Sequence, residues 1–403
     1  MGRAKVLEVL EANVGGTQKH VFQILRGFAP ERFELHLACS VERDPSVTES
    51  LDELRARGIR VAPIRMVRRP SPLADFRALR ELTRRMAAEH YDIVHTHASK
   101  AGFLGRWAAR RAGVPAVIHT PHTFPFQRVD TRLTGVYRWL ERRAARWTDR
   151  IVLLTESQRA LACEARIGFA EQYVVIPNGV RMPAEAPEAA RRRFRQELGI
   201  DEATPAFAFI GRITPQKDVQ TFLSAAMEAL RTLPRAAVFL VGAADNRSYL
   251  LSLVPRVGPD AFSALLSGGR AAKGCVWSET LPVRILGQRT DAADLAAAFD
   301  AIVLPSRYEG LPYSLLEAMA WGVPVLASDI PGNRDAIEPG RTGLLVEAGD
   351  AAGFAQAIVQ VLKDGDSARK IGEAARERVA AEFTEERFLR RMADLYESVL
   401  HSQ

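Results

Sequence analysis

Cysteine is nearly absent: Cys39, Cys163 and Cys275 are the 3 in 403 residues. They lie far apart and form no CxxC pair. That excludes a disulfide framework and a cysteine-built zinc site, and it fits a reducing compartment. Long hydrophobic runs are missing too. No stretch of about 18 uncharged apolar residues occurs, so no membrane-spanning helix is expected. Met1-Gly2-Arg3 leads directly into an apolar strand pattern, and no secretory leader is expected. Helix-turn-helix and finger spacings are absent, and no basic strand carries interleaved aromatics, so nucleic-acid binding has no motif behind it. The histidines come without an HExxH motif, and no Asp-x-Asp pair stands where a diphosphate would be clamped. We therefore expect no metal and no cofactor.

What is present is apolar bulk and uneven charge. Hydrophobic residues make up 47% of the chain, enough for two cores. The net charge is +7, but residues 1–180 hold 29 Lys+Arg against 19 Asp+Glu, and the remainder holds 26 against 29. A basic half suits nucleic acid, an anionic membrane or a phosphorylated substrate.

Short apolar runs alternate with longer amphipathic stretches. The pattern predicts strands at 5–10, 33–38, 92–97, 116–119, 150–154 and 173–176, with helices between, among them 17–28, 73–88 and 99–112. The second half repeats the rhythm with strands at 206–210, 237–241, 301–304 and 323–327. Such alternation implies parallel sheets, here two doubly wound α/β domains. Pro177-Asn178-Gly179 reads as the turn that begins the link. Doubly wound sheets bind ligands beyond the carboxyl ends of their strands, so chemistry is sought in the loops after strands.

Four such loops stand out. Gly15-Gly16 precede a helix and let backbone N–H groups approach an anion. Gly211-Arg212-Ile213-Thr214-Pro215-Gln216-Lys217 follow a strand, and Arg212 and Lys217 suit a diphosphate. Glu309-Gly310-Leu311-Pro312-Tyr313-Ser314-Leu315-Leu316-Glu317 place one carboxylate in a loop and the other in a helix. Pro312 is expected in the first helical turn and Gly322 at the helix stop. A diphosphate on that helix terminus would set a sugar and a ribose near the two carboxylates, which accept paired hydrogen bonds from vicinal hydroxyls. The spacing alone is not diagnostic, since Glu81 and Glu89 share it. The fourth group is His95 and His97, then His119 and His122. His122 and His97 are read as ligand contacts, His95 and His119 as core.

These stretches together resemble glycosyltransferase family 4, the retaining family with the GT-B fold. The matching segments are GGTQKHV (15–21), HTHASKAGFLGRWAARRAGVP (95–115), HTPH (119–122), VIPNGV (175–180), GRITPQK (211–217) and EGLPYSLLEAMAWGVPVLASDIPGNRDAI (309–337). The resemblance implies two Rossmann-like domains facing across a cleft. Residues 1–180 with a returning helix at 385–403 would bind the acceptor, and residues 181–384 the nucleotide sugar. Gly15, Gly16, Arg212, Lys217, Gly310, Leu311, Pro312, Tyr313, Ser314 and Glu317 would bind the donor. Glu309, His122, Arg212 and Lys217 would carry catalysis. His97, Lys100, Arg68 and Arg69 would meet the acceptor.

The implied activity is metal-independent, retaining transfer of a hexose from a nucleotide sugar, with UDP ahead of GDP. The implied acceptor is a lipid-diphosphate-linked saccharide of cell-surface polysaccharide assembly. No nucleic-acid partner is expected. Rival readings are a nucleotide-sugar epimerase of the same fold and a non-enzymatic basic nucleic-acid binder. The turn Gly242-Ala243-Ala244-Asp245 and the stretch 246–282 depart from the family pattern and leave the base open. Arg128, Arg132, Arg138, Arg142, Arg143, Arg146 and Arg150 cluster around a helix expected from about Thr131, whose Leu133, Val136, Tyr137 and Leu140 share a face. Apolar area ringed by cations suits an anionic membrane surface, and the chain is placed in the cytoplasm, peripherally on the inner face of the membrane.

Overall fold

The computed structural model describes residues 3–42, 47–127, 133–244, 248–253, 276–277 and 282–401. Arg128, Arg132 and most of the stretch 246–282 lie outside them. The chain divides into two compact units, residues 1–178 with 385–403, and residues 179–384.

The first unit is built on β1 (Ala4–Leu10), β2 (Phe33–Cys39), β3 (Arg60–Pro63), β4 (Ile93–His97), β5 (Ala116–Thr120), β6 (Arg150–Leu153) and β7 (Tyr173–Val175). All pairs are parallel, in the order β3-β2-β1-β4-β5-β6-β7. The helices are α1 (Gly15–Gly27), α2 (Thr48–Ala56), α3 (Pro72–Glu89), α4 (Ser99–Ala112), α5 (Thr134–Ala145) and α6 (Glu156–Glu164). Side chains alternate across a strand, and both faces here are covered, so β1 is apolar on both sides. Val6 and Leu10 join the core under α1 and the C-terminal helix Glu385–His401. Leu7 and Val9 join the core under α3 and α4. The C-terminal helix contributes Phe388, Met392, Leu395, Tyr396 and Val399 to the first of these cores.

The second unit follows the same plan. Its strands are β8 (Ala206–Ile210), β9 (Ala237–Val241), β10 (Val276–Trp277), β11 (Val283–Gly287), β12 (Ala301–Leu304), β13 (Val325–Ser328) and β14 (Leu344–Val346). They run β10-β11-β9-β8-β12-β13-β14, parallel except for β10. Helix α7 (Pro187–Leu198) packs against the short turn Ala296–Ala298 before β12, and helix α8 (Val219–Thr232) packs on this sheet with Ala351–Lys363. Both units are thus Rossmann-like, doubly wound α/β folds. In each, the strand order reverses once beside the first strand: between β1 and β4, and between β8 and β12.

Two sequence expectations need correction. The helix expected from about Thr131 begins at Thr134, with Leu133 outside it. The strand expected at 323–327 begins at Val325. The reason is local: the N–H groups of Gly322 and Val323 bond back to Met319 O and Ala318 O, closing the preceding helix. Pro324 then has no N–H to give a ladder.

A buried arginine ties two helices of the first unit together. Arg106 on α4 is fully buried, donates to Gly102 O at 2.7 Å, and meets Glu141 of α5 at 2.8 Å. Removing one partner of a buried pair strands the other charge. Glu141→Ala should therefore cost about 3–5 kcal/mol in urea unfolding. The double change Arg106→Met with Glu141→Leu should recover most of that loss. A Glu141→Ala protein as stable as the parent would mean that α5 does not depend on the pair.

Candidate active site

Each unit gathers its polar groups where the strand order reverses, and each set can be built from its own strands.

In the first unit, register and period do the work. Glu8 of β1 lies opposite His95 of β4, and Leu10 opposite His97. Glu8, His95 and His97 share the parity of Val6, Leu10 and Ile93, so they face α1 and the C-terminal helix. There they form a continuous buried chain of hydrogen bonds. Tyr396 Oη donates to Glu8 Oε1 at 2.6 Å and lies 2.6 Å from His95 Nδ1. His95 Nε2 is 2.8 Å from Thr120 Oγ1. Glu8 Oε2 is 2.6 Å from His97 Nε2, and His97 Nδ1 is 3.2 Å from His122 Nε2. His20 of α1 stands edge-on to His122, with ring centroids 4.7 Å apart. Its Nδ1 is held 2.9 Å from Asn178 Oδ1.

Burial sets the charges here. Desolvation pushes the Glu8 carboxyl up to about 8, against the smaller lowering effect of the Tyr396 hydroxyl. Desolvation pushes His20 and His97 down to about 3. It holds His95, His119 and His122 well below the usual imidazole range. The rings are therefore neutral at pH 7 and Glu8 carries its proton. The nitrogens of His20, His97 and His122 lie within 4.8 Å of one another, close enough for a metal ion. His97 Nδ1 and His122 Nε2 are also within hydrogen-bond reach of each other at 3.2 Å.

Gly15 and Gly16 are exposed at the start of α1, just beyond β1, with Gly15 at φ 62°. Asn13 beside them is 1% exposed, and neither its amide nitrogen nor its oxygen has a partner among the described residues. A buried amide without partners is costly unless a ligand meets it. Sequence reasoning did not single out Asn13. Arg68 and Arg69 are exposed in the loop before α3. Lys100, read as an acceptor contact, is drawn to this loop: its Nζ donates to Arg69 O at 2.7 Å and to Asp75 Oδ1 at 2.6 Å.

In the second unit, the loops after β8 and β12 meet. Lys217 Nζ lies 2.7 Å from Glu309 Oε1, out of line for a hydrogen bond but close enough for an ion pair. Gln216 Nε2 donates to Tyr308 O at 3.0 Å, and Arg307 N donates to Gln216 O at 2.8 Å. Glu309 is buried, and Arg212 and Glu317 are half-buried. Two glycines permit this closeness. A Cβ on Gly242 would stand 1.8 Å from Gly211 O, and one on Gly332 would stand 2.1 Å from Gly310 O. The Gly242–Ala243 turn that departs from the family pattern supports the loop, since Ile213 N donates to Ala243 O at 2.8 Å.

The helix Tyr313–Ala320 starts one residue later than expected, with Pro312 as its cap at ψ 131° rather than inside the first turn. Its missing N–H still costs nothing there. Gly310 and Leu311 lead into it, Tyr313 and Ser314 open its first turn, and Glu317 lies between one and two turns along. The free N–H groups of that turn and the helix dipole favour an anion. Within this unit, one cation–carboxylate pair, a second cation in Arg212 and a helix terminus can therefore hold a diphosphate and its sugar.

Comparison with known proteins agrees with this architecture. Residues 15–179 match the model of a glycosyl transferase 4-like domain, and residues 204–364 that of glycosyl transferases group 1. The chain is 30% identical over 359 residues to the UDP-Gal:alpha-D-GlcNAc-diphosphoundecaprenol alpha-1,3-galactosyltransferase of Escherichia coli, covering 87% of this chain and 86% of that one. It is 30% identical over 329 residues to the alpha-maltose-1-phosphate synthase of Mycolicibacterium smegmatis, covering 77% and 80%. Among solved structures, Anabaena Alr3699/HepE in complex with UDP and glucose superposes with a TM-score of 0.79 at 19% identity, over 98% of this chain and 100% of that one.

The buried histidines also make stability depend on pH. Their folded values lie below the unfolded 6.5, so the unfolded chain takes up protons as pH falls through 6.5 and the fold loses stability. Glu8 has the opposite sign: between 4.5 and about 8 the folded chain holds a proton that the unfolded chain has lost, so stability falls as pH rises through that window. Several histidines outweigh one carboxyl below 6.5. The thermal midpoint of the full chain should therefore climb from pH 5 to about 6.5 and decline towards 8. Glu8→Gln should remove the decline. A midpoint still rising through pH 8 would mean that Glu8 is ionised in the fold.

Proposed function

Because the chain belongs to the group 1 glycosyltransferases with a 4-like amino-terminal domain, we propose that it moves a hexose from a UDP-sugar to a lipid-diphosphate-linked saccharide, with retention and without a divalent cation. The observation that carries this reading is the Lys217–Glu309 pair beside the start of the helix Tyr313–Ala320. In the ligand-free chain each group neutralises the other. A diphosphate arriving at the helix terminus takes over Lys217, with Arg212 beside it. Glu309 is then released to accept hydrogen bonds from the sugar hydroxyls, and Glu317 meets the ribose. Gly310, Leu311, Pro312, Tyr313 and Ser314 form the cradle.

The charge that grows on the leaving diphosphate is met by groups already in place, which is how preorganised electrostatics lowers a barrier. Arg212, Lys217 and the backbone N–H groups supply what a bound cation would. Retention follows the family resemblance: the acceptor hydroxyl attacks the face that the diphosphate leaves, at an oxocarbenium-like carbon. The basic unit 1–178 with 385–403 takes the acceptor, with Lys100, Arg68 and Arg69 meeting it; Gly15 and Gly16 meet the donor phosphates and His122 the donor sugar, while His97, expected as an acceptor contact, is fully buried and acts only through His122. The name of the E. coli relative supports both the UDP donor and the diphosphate-linked acceptor, and the UDP and glucose held by Alr3699/HepE support the donor.

An acceptor anchored in lipid brings the enzyme to a membrane. Exposed apolar groups support a peripheral site on its cytoplasmic face. On α5 and at its cap, Leu133, Val136 and Trp139 are 49%, 51% and 61% exposed among Arg138, Arg142, Arg143 and Arg146. Sequence reasoning missed a second group: Leu73 and Phe76 on α3, 76% and 60% exposed, next to Arg68 and Arg69. Tyr137 and Leu140 are half-buried and belong to the supporting face. Among the described residues no helix is long and apolar enough to cross a membrane.

Titration calorimetry with UDP tests the donor site. Arg212→Ala and Lys217→Ala should each weaken binding by about 1.5–3 kcal/mol, the worth of a charged hydrogen bond. Glu309→Ala should behave differently, because it frees Lys217: UDP affinity holds or rises while sugar transfer collapses. Unchanged UDP affinity in the Arg212/Lys217 double variant would remove the site. Transfer should also survive EDTA, and loss restored by a divalent ion would overturn the metal-free reading.

Vesicle co-sedimentation tests the membrane site. Binding should rise with anionic lipid and fall with salt, and Trp139→Ser with Phe76→Ser should reduce it. A protein that stays in solution with anionic vesicles at low salt has no such surface.

A further inference from the structure

The hydrogen-bonded chain Tyr396–Glu8–His97–His122 has one open end. His20, His95 and His97 are 0% exposed and His119 is 1%, but His122 retains 9%. It sits in the loop after β5 with φ 59°, and among the described residues no group bonds its Nδ1. The other end is closed. Tyr396 Oη gives its hydrogen to Glu8 Oε1. It must then accept from His95 Nδ1, so His95 Nε2 accepts from Thr120 Oγ1. Oε2 is the carboxyl oxygen left to take a proton, and it faces His97.

Each contact along the chain holds one hydrogen, so two arrangements exist. With Glu8 ionised, His97 carries its hydrogen on Nε2 and donates to Glu8. His97 Nδ1 then accepts from His122 Nε2–H, and His122 Nδ1 is bare. With Glu8 protonated, Oε2–H donates to His97 Nε2, His97 Nδ1–H donates to His122 Nε2, and His122 carries its hydrogen on Nδ1. The two differ by one proton. A proton arriving at His122 Nδ1 pushes the Nε2 hydrogen to His97 Nδ1, and the His97 Nε2 hydrogen passes to Glu8 Oε2. Both rings stay neutral throughout.

We propose that Glu8, acting through His97, decides whether His122 accepts or donates the hydrogen bond to a sugar hydroxyl. Glu8 and His97 are then positioning residues for the ligand-facing His122, and the role of that ring towards a sugar rests on the glycosyl-transfer reading above. The groups that face the chain favour a proton resting on the carboxyl. From β4 come His95 and His97, from α1 His20, and from the C-terminal helix Tyr396, all neutral at pH 7 through burial, while His119 of β5 lies on the other face of the sheet with Thr96 and α4. Burial pushes Glu8 up to about 8 and pushes His97 down to about 3, so the carboxyl titrates where the imidazoles do not. At pH 7 His122 donates from Nδ1, and above pH 8 it accepts there. His20 stays outside the relay, because Asn178 Oδ1 holds its Nδ1–H.

Long-range proton–nitrogen NMR on the full chain, labelled with 15N-histidine, reads the tautomers directly. His122 and His97 are assigned by single His→Gln substitutions. Between pH 6 and 9.5 the hydrogen of His122 should move from Nδ1 to Nε2, with His97 changing from Nδ1 to Nε2 in step. Glu8→Gln should abolish the transition and lock His122 with Nδ1–H, since the amide nitrogen replaces Oε2 as a permanent donor. Tyr396→Phe removes a donor to the carboxylate and should move the midpoint to higher pH, a check that does not need Glu8→Gln to fold. A single His122 tautomer across the range, or a transition unchanged in Glu8→Gln, overturns the proposal. The readout requires no turnover. A tautomer transition in a protein that transfers no sugar supports the relay and counts against the glycosyl-transfer reading, and transfer without the transition does the reverse.

Discussion

A parallel strand cannot return to its neighbour by a tight turn; each crossover must climb a face of the sheet. In both units the crossovers cover one face on one side of the first strand and the other face on the other side. At that reversal two successive loops leave in opposite directions, and the strand ends beneath them are left uncovered. In the first unit the gap lies beyond β1 and β4, in the second beyond β8 and β12. The polar side chains described above follow from this constraint. Glu8 lies near the end of β1, Asn13 and Gly15 follow it, and His95 and His97 end β4. Arg212 and Lys217 extend β8, and Glu309 extends β12.

The two gaps are furnished by opposite electrostatics. In the second unit Lys217 and Glu309 face each other as an ion pair, and a helix terminus adds a partial positive charge. Such a site suits a ligand of high charge, since a diphosphate replaces one anionic partner with another. In the first unit burial drives charge out. The rings of His20, His95, His97 and His122 lose their protons and Glu8 keeps its own. A neutral, hydrogen-bonded lining suits hydroxyl groups, which need donors and acceptors at fixed places but offer no charge to pay for desolvation.

Much of this was readable from the residues, and the gaps have physical causes. Alternation of apolar runs with amphipathic stretches places both sheets, because strands buried on two faces leave a dense apolar signal. The strands β3, β11 and β14 escaped: β3 and β14 are short strands at sheet edges, and β11 alternates buried with half-buried residues. Arg212, Lys217 and Glu309 were legible because charged residues after an apolar strand have few structural reasons to be there. Glu8 was not. Within AKVLEVL it reads as the polar break of a half-exposed strand, and only the returning helix, 388 positions later at Tyr396, shows why it is buried. Asn13 was overlooked for a similar reason, since an asparagine before two glycines has a sufficient explanation in the turn. Lys100 and Arg69 were read as independent cations, whereas Lys100 is neutralised by Asp75 and braces the Arg69 backbone.

Glu8 also explains why the C-terminal helix belongs to the first unit. A lone carboxyl on an inward-facing strand position costs several kcal/mol if it is left charged and unsatisfied. Apolar packing by Phe388, Met392 and Val399 could hold any amphipathic helix against this sheet. Tyr396 makes the choice specific. Its hydroxyl is the group that reaches Glu8 Oε1 and also meets His95, so sliding the helix by one residue would take the partner from three buried polar atoms, Tyr396 Oη, Glu8 Oε1 and His95 Nδ1. These hydrogen bonds set the register of the last helix, and the burial that the helix imposes keeps the proton on Glu8. The chain's far end thereby becomes part of the lining around His122, although it contributes no residue that a sequence scan would place near a ligand.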